Sequence, residues 1–365
     1  MIVLSAPAAV ALLRVRSDAT AAASAAERGL TAARAGDAKA AEAAFADAEG
    51  LFSRARRRLS DPAASLGLPV PVLGPNLRAA RDLTSVGIDL AHAGRQLATT
   101  VNPQSLRIMN ATVNLAELAR LQPEFESTAR TLASARQRIT AINRAFLIAP
   151  LEDAIAKLDG RLVPAVRDSA TAAFAARVLP AVLGGDGPRR YFLAVQNNSE
   201  ARATGGFIGD WGQISALNGT LDLGQVTSIA TLNPANAADV RTLDAPADYR
   251  ARYARFAPER TWQNVNMSPD VPTVGSVEAA LLPQSGVGPV DGIVTIDPVG
   301  LASVLKLTGP VTVPSWPEPI TAENVVAITL HDEYIRFAND PAARDAFLGD
   351  VARATWEAFK QRNLG

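Results

Sequence analysis

The chain has 365 residues, 48% of them hydrophobic and 20% charged, the profile of a folded protein too long for one average domain. Its 36 Lys+Arg balance 36 Asp+Glu, which removes the basic footprint of a dedicated nucleic-acid binder. The absence of Cys excludes a disulfide framework, a thiolate zinc site and a Cys nucleophile, and only two histidines, His92 and His331, argue against His-rich metal sites and a Ser-His-Asp triad.

The balance conceals an asymmetry. Through Arg190 there are 24 basic and 17 acidic residues, net +7, and the remainder holds 12 basic and 19 acidic, net −7. Composition shifts at the same place from Ala and Arg to Gly, Pro, Asn and Val, so a domain boundary is expected near residues 183–190.

Residues 2–13 are apolar but shorter than the roughly 20 residues of a membrane span, and two readings stay open: the end of a transmembrane helix or an ordinary helix start. Residues 18–59 read as a helical hairpin turning at Ala35-Gly36-Asp37, with Asp37 as the cap of the second arm. Four prolines between Asp61 and Pro75 predict a non-helical link, and helix resumes over residues 76–100. Leu118, Leu121, Phe125, Thr128, Leu132, Ala135, Ile139, Ile142 and Phe146 keep 3,4 spacing, a coiled-coil-like seam with Pro123 at the first turn of a new helix. Leu151, Ile155, Leu158, Leu162 and Val166 mark one more helix, running toward Leu183. These stripes read as helix-to-helix core.

Past Tyr191 the period becomes two. Residues 191–195 predict a strand, and Asn218-Gly219 between alternating apolar residues predicts a hairpin. Residues 231–289 read as a long polar loop. Residues 290–296 predict a buried strand, Asp297-Pro298 opens a helix that stops at Gly309-Pro310, and residues 311–313 form the next strand, a crossover unit. Thr321 caps a helix to about Phe337, and Asp340-Pro341 opens the last one.

The densest polar cluster, residues 196–210, follows the first strand, where ligands gather in open α/β sheets. Asn197, Asn198, Glu200 and Arg202 are its ligand candidates, Arg202 offering a fork for phosphate or carboxylate. A second cluster, residues 262–270, adds Asn264, Asn266 and Asp270, with Trp262 as a surface for a sugar or headgroup and Asp270 as a hard-cation ligand. Arg336 and Arg344 flank a helix junction and join Arg202 as anion ligands. For each set the plainer reading is a loop or surface pinned by its own hydrogen bonds and ion pairs. His331, Asp332 and Glu333 do not share a helix face, and no nucleophile with a base is visible.

Residues 179–209, reading Leu-Pro-Ala-Val-Leu-Gly-Gly-Asp-Gly-Pro-Arg-Arg-Tyr-Phe-Leu-Ala-Val-Gln-Asn-Asn-Ser-Glu-Ala-Arg-Ala-Thr-Gly-Gly-Phe-Ile-Gly, resemble the hallmark of a bacterial envelope family of unknown function, domain of unknown function number 4012. Residues 262–272, Asp291-Gly292 through Asp297-Pro298, and Thr308-Gly309-Pro310-Val311 extend the likeness. The resemblance implies that residues 1–13 end a membrane anchor and that the chain continues past its last helix. The second half is more weakly similar to the LytR-CpsA-Psr family of glycopolymer transferases, through Asp291-Gly292, Gly309-Pro310-Val311 and Arg344. That family's Arg-Ser-Asp-Thr and Ser-x-Pro-Arg-Asp motifs are absent here.

The expectations are therefore an α+β protein: residues 1–13 as an anchor remnant, 14–182 as a helical bundle or stalk, and 183–365 as a mixed, LytR-CpsA-Psr-like sheet domain incomplete at its C-terminus. The implied location is the cell membrane, single-pass, with the bulk of the chain outside the cytoplasm. The first functional reading is an envelope protein that binds a wall polymer, a polyprenyl-phosphate lipid or a protein partner, and no nucleic acid. The alternative is a divergent glycopolymer transferase or pyrophosphohydrolase, in which Arg202, Arg336 and Arg344 grip a pyrophosphate and Asp270 or Glu200 positions Mg²⁺.

Overall fold

The computed structural model of the protein describes residues 2–236, 239 and 241–362, and the fold is α+β. It divides into two compact units, one comprising residues up to Leu106 with Ala116–Leu179, the other Arg107–Leu115 with residues from Pro180 onward.

The first unit is helical. Helices α1 (Ile2–Arg34) and α2 (Ala38–Leu59) form the expected hairpin: Gly36 turns it at φ +77°, and the Asp37 carboxylate accepts from the Ala40 N–H at 2.9 Å. A short helix α3 (Pro62–Ser65) interrupts the Pro-rich link before α4 (Leu73–Thr100). Small residues let these helices approach closely. A Cβ on Gly29 of α1 or on Gly94 of α4 would sit within 2.9 Å of the Phe45 ring, so that ring fits only because both positions are glycine.

Helix α5 (Leu115–Thr140) runs unbroken through Pro123, which therefore lies inside the helix rather than at a new start. Proline removes one backbone donor there, a cost the packing of Leu118, Leu121, Ala135 and Ile139 offsets. The seam ends at Thr140, and Phe146 is 72% exposed in the following loop. Asn76 fastens that loop, donating to the Phe146 carbonyl at 2.8 Å and accepting from the Ile148 N–H at 2.8 Å. Helix α6 (Ala149–Val182) packs Ile155 and Leu162 against Val86, Ala135 and Ile139.

The single-pass membrane location is corrected. Among the described residues no helix is long and apolar enough to cross a membrane. Helix α1 has the length, but Arg14, Arg16 and Asp18 end its apolar run, and Val15, Ala22 and Ala25 are buried in the helical unit. Met1 and the side chains of residues 2–14 lie outside the described part of the structure.

The second unit is built on a mixed sheet of β1 (Arg189–Asn197), β2 (Phe207–Leu217), β3 (Thr220–Leu223), β4 (Thr227–Ser228) and β5 (Gly292–Ile296). Its order is β3-β2-β1-β5, with β4 also on β2; β5 runs parallel to β1 and the other pairs are antiparallel. The Asn218-Gly219 hairpin joins β2 to β3, both residues at positive φ (50° and 86°) as the predicted turn requires. A Cβ at Gly219 would also lie 2.2 Å from the Val113 carbonyl oxygen, because residues 107–115 run along this edge. Gly219→Ala is accordingly expected to lower the urea midpoint, by an amount equivalent to about 1–3 kcal/mol.

Residues 231–289 are not the polar loop expected. They form α7 (Ala247–Tyr253), α8 (Val271–Leu281) and several 3-10 turns, and they cover one face of the sheet. Their buried Tyr249, Trp262, Val265, Val277 and Leu281 pack on Phe192, Ala194 and Ile208. The apolar residues are spread singly among Asn, Pro and Arg, so no period betrays the layer.

On the other side lie α9 (Pro298–Thr308), a broken helix of α10 (Val325–Ala327), a π turn (Ile328–Asp332) and α11 (Glu333–Arg336), and α12 (Pro341–Gln361). Asp297 caps α9 as predicted, accepting from the Gly300 N–H at 2.7 Å. The strand expected at residues 311–313 reduces to one bridge, Val311 with Ile320, while Val311 and Val313 are buried against Phe347 of α12 and its neighbours. The parallel partner of β5 is instead β1.

Candidate functional site

Strand β1 presents Phe192 and Ala194 to the α8 side, so its pleat turns Leu193 and Val195 to the opposite face. There the sheet is incompletely covered. A cavity of about 460 Å³, the scale of a small-molecule site, separates Leu193, Val195, Ile214, Leu221, Leu223 and Val294 from α9 and α12. Val294 is 40% exposed although it belongs to the sheet face. Opposite it stand Leu301 and Val304 of α9 and Leu348, Val351, Trp356 and Phe359 of α12.

A β-bulge shapes one wall. Val195 pairs with Asp210 and Gln196 with Ile208, so Gly209 is the extra residue, and both Gly209 and Asp210 border the cavity. A Cβ at Gly209 would meet nothing within 4 Å.

Polar groups gather at one end, past the carboxyl ends of the parallel pair β1 and β5, where open sheets place ligands. The Asn197 amide donates to the Tyr334 hydroxyl at 2.6 Å, and that hydroxyl donates to Glu200 at 3.4 Å. The Arg344 guanidinium lies 4.9 Å over the Tyr334 ring. Burial, and next the charges of Glu200 and Glu333, push the Tyr334 hydroxyl pKa up. Asn198 ties the 198–205 loop to the strand end, donating to Asp297 at 3.0 Å and to the Gly205 carbonyl at 2.8 Å. The π turn aims Thr329, Glu333 and Tyr334 at this end, and such turns recur at functional sites. Asp210 and Glu333 border it while 2% and 0% exposed.

Of the nine ligand candidates in the sequence, Asn197, Glu200 and Arg344 line the cavity and Asn198 braces its rim. Arg202 is held elsewhere, donating to the Gln263 carbonyl at 3.2 Å with its guanidinium 5.4 Å over the Phe207 ring. Arg336 donates to the Ser315 carbonyl and stacks 5.4 Å over Trp316. The three arginines are thus not brought together. Asn264 donates to the Phe256 carbonyl, and Asn266, fully buried, donates to Thr204 and to the Gly206 carbonyl. Asp270 caps α8 through the Thr273 N–H, and among the described residues no three His, Asp or Glu side chains gather to hold a metal such as Mg²⁺. His331 and Asp332 bond to each other at the surface, while Glu333 points inward.

The cavity walls were missed because each is a strand or helix face that reads as ordinary core. One signal was present: Leu348, Ala352, Thr355 and Phe359 recur at 4,3,4 spacing on α12, a face distinct from that of Phe347.

A sheet with helices on both faces and an apolar cavity beneath one of them defines the class of domain. Residues 186–334 match the model of a family described as protein of unknown function, DUF4012. No curated protein and no solved structure matches the chain. The matched segment contains the sheet and Asn197, Glu200 and Tyr334 of the polar end, and stops before α12, which carries Arg344. Asp291-Gly292 serves strand pairing: Asp291 accepts from the Arg190 N–H at 2.8 Å and from Arg189 at 3.0 Å, bonds that hold its carboxyl below the usual range.

Proposed function

We propose that the sheet unit is a binding module for an amphiphile, with a single acyl- or prenyl-like chain along the sheet and a headgroup at the Asn197–Tyr334–Arg344 end. The observation that carries this reading is the cavity's mainly apolar length, walled by Leu193, Ile214, Leu223, Val294, Leu301 and Leu348, with Asn197, Glu200, Tyr334 and Arg344 at one end; Thr355 and the Trp356 indole N–H are the polar groups of α12 beside the length. Its lining reaches from Ile214, opposite Tyr191, to Asn197, six steps along β1 or about 20 Å. That span suits an extended hydrocarbon chain better than a wall polysaccharide, whose hydroxyls would face Leu193, Val294 and Phe359 unpaired.

Energetics agree. At about 0.8 kcal/mol per buried methylene, ten or so methylenes contribute roughly 8 kcal/mol, which an association cost of at least about 4 kcal/mol reduces to about millimolar binding from the chain alone, with headgroup contacts adding to it.

The test is displacement of Nile red by single-chain amphiphiles, read by fluorescence, in wild type and in Val294→Trp and Gly209→Leu. Both variants place bulk where the wild type has open space, and each is expected to weaken binding at least about tenfold, or 1.4 kcal/mol. Wild type that takes up no amphiphile, or two folded variants that bind as well as wild type, would overturn the reading.

A further inference from the structure

The chemistry of the polar end restricts the headgroup. An anion held in a protein needs Arg or Lys forks or open backbone N–H groups at a helix start. Arg344 is the one cation among the described lining residues, whereas Glu200, Asp210, Asp297 and Glu333 supply four carboxyl groups. The helix start at hand is already filled: one oxygen of Asp297 accepts from the Gly300 N–H at 2.7 Å and the other accepts from Asn198 at 3.0 Å. Asp340 closes the start of α12 in the same way, accepting from the Ala343 N–H at 2.9 Å. A phosphate or pyrophosphate would therefore meet one guanidinium, occupied helix ends and a majority of like-charged or acceptor groups.

We infer that the cavity takes amphiphiles whose headgroup carries no negative charge and donates hydrogen bonds, as an ammonium or a polyol does, and discriminates against phosphorylated ones. This rests on the amphiphile reading above and sharpens it. Glu200 is the most accessible of the four carboxylates and the one whose carboxylate meets the Tyr334 hydroxyl, so it faces the donor. Arg344 then acts as a counter-charge for the acidic groups around Tyr334 rather than as an anion ligand.

Three amphiphiles with one chain length and different heads separate the outcomes: decylamine, decyl glucoside and decyl phosphate, each titrated calorimetrically below its micelle concentration at neutral pH into the full chain. The amine and the glucoside are expected to bind at least about tenfold tighter than the phosphate, a difference of 1.4 kcal/mol. Glu200→Gln is expected to weaken the amine several-fold, leave the glucoside within about twofold and narrow the gap to the phosphate. Equal or tighter binding of decyl phosphate, abolished by Val294→Trp, would overturn the headgroup inference while leaving the amphiphile site intact. Binding of none of the three would remove the site itself, and the inference with it.

Discussion

Replacing Glu278 by Gln is expected to stabilise the protein at pH 7 by on the order of 3 kcal/mol and to flatten its stability between pH 5 and 8. Glu278 lies on α8, 1% exposed, among Val274, Val277 and Leu281, and its Oε1 has no hydrogen-bond partner. Burial alone pushes its carboxyl up to about 8. From the ordinary carboxylate range to pH 8 the native state thus keeps a proton that the unfolded chain has released. Stability is fullest below that range and falls by about 1.4 kcal/mol for each pH unit of rise until the folded carboxyl ionises. Gln is close in shape and does not titrate. Urea denaturation at several pH values checks this, and a variant with the wild-type slope would show that Glu278 is not the group responsible.

Trp262→Ala is expected to destabilise the second unit by about 3–5 kcal/mol, the range for emptying a large buried ring site. Trp262 is fully buried, its indole N–H donates to Ser285 at 3.0 Å, and its ring lies 5.7 Å from that of Phe192. Phe192 stacks in turn on Trp211 at 5.7 Å, so the change breaks a chain of aromatic contacts beneath β1. Thermal unfolding reads the loss. Because Trp262 packs on the sheet face away from the cavity, the fraction of variant that stays folded should take up amphiphile as wild type does. A specific loss of uptake by folded protein would return Trp262 to the ligand-facing role that its sequence neighbourhood suggests.

Local chemistry was the legible part of this chain. Asp37, Asp297 and Asp340 each cap the helix that their position next to a helix start predicts, and Asn218-Gly219 turns the hairpin, because these features depend on a few adjacent residues. What depended on distant partners was not legible. Asn264, Asn266 and Asp270 have the composition of a binding loop, yet the two amides donate to Phe256 and Gly206, and Asp270 accepts from Thr273. Arg202 and Arg336 have the chemistry of anion ligands, but each is absorbed by a carbonyl and an aromatic face. The cavity is the opposite case. Leu193 and Val294 look like core, and only the spacing of α9 and α12 from the sheet leaves a cavity beside them, with Val294 40% exposed. Pro123 likewise looked like a boundary until the packing of α5 outweighed one missing backbone bond.

Helix α12 borders two interiors. Phe347, Ala354 and Ala358 pack with Ile320 and Val325, Ala352, Trp356 and Phe359 border the cavity, and Leu348 and Val351 serve both. The two flanks are held to different standards. On the first, Phe347 is fully buried among its neighbours, and a change in size there is felt by the fold. On the second, empty volume absorbs the change, and only greasiness must persist. Substitutions at Ala352, Trp356 and Phe359 would therefore lengthen, shorten or bend the hollow while the scaffold stayed fixed, changing which amphiphiles the proposed site accepts without a new architecture.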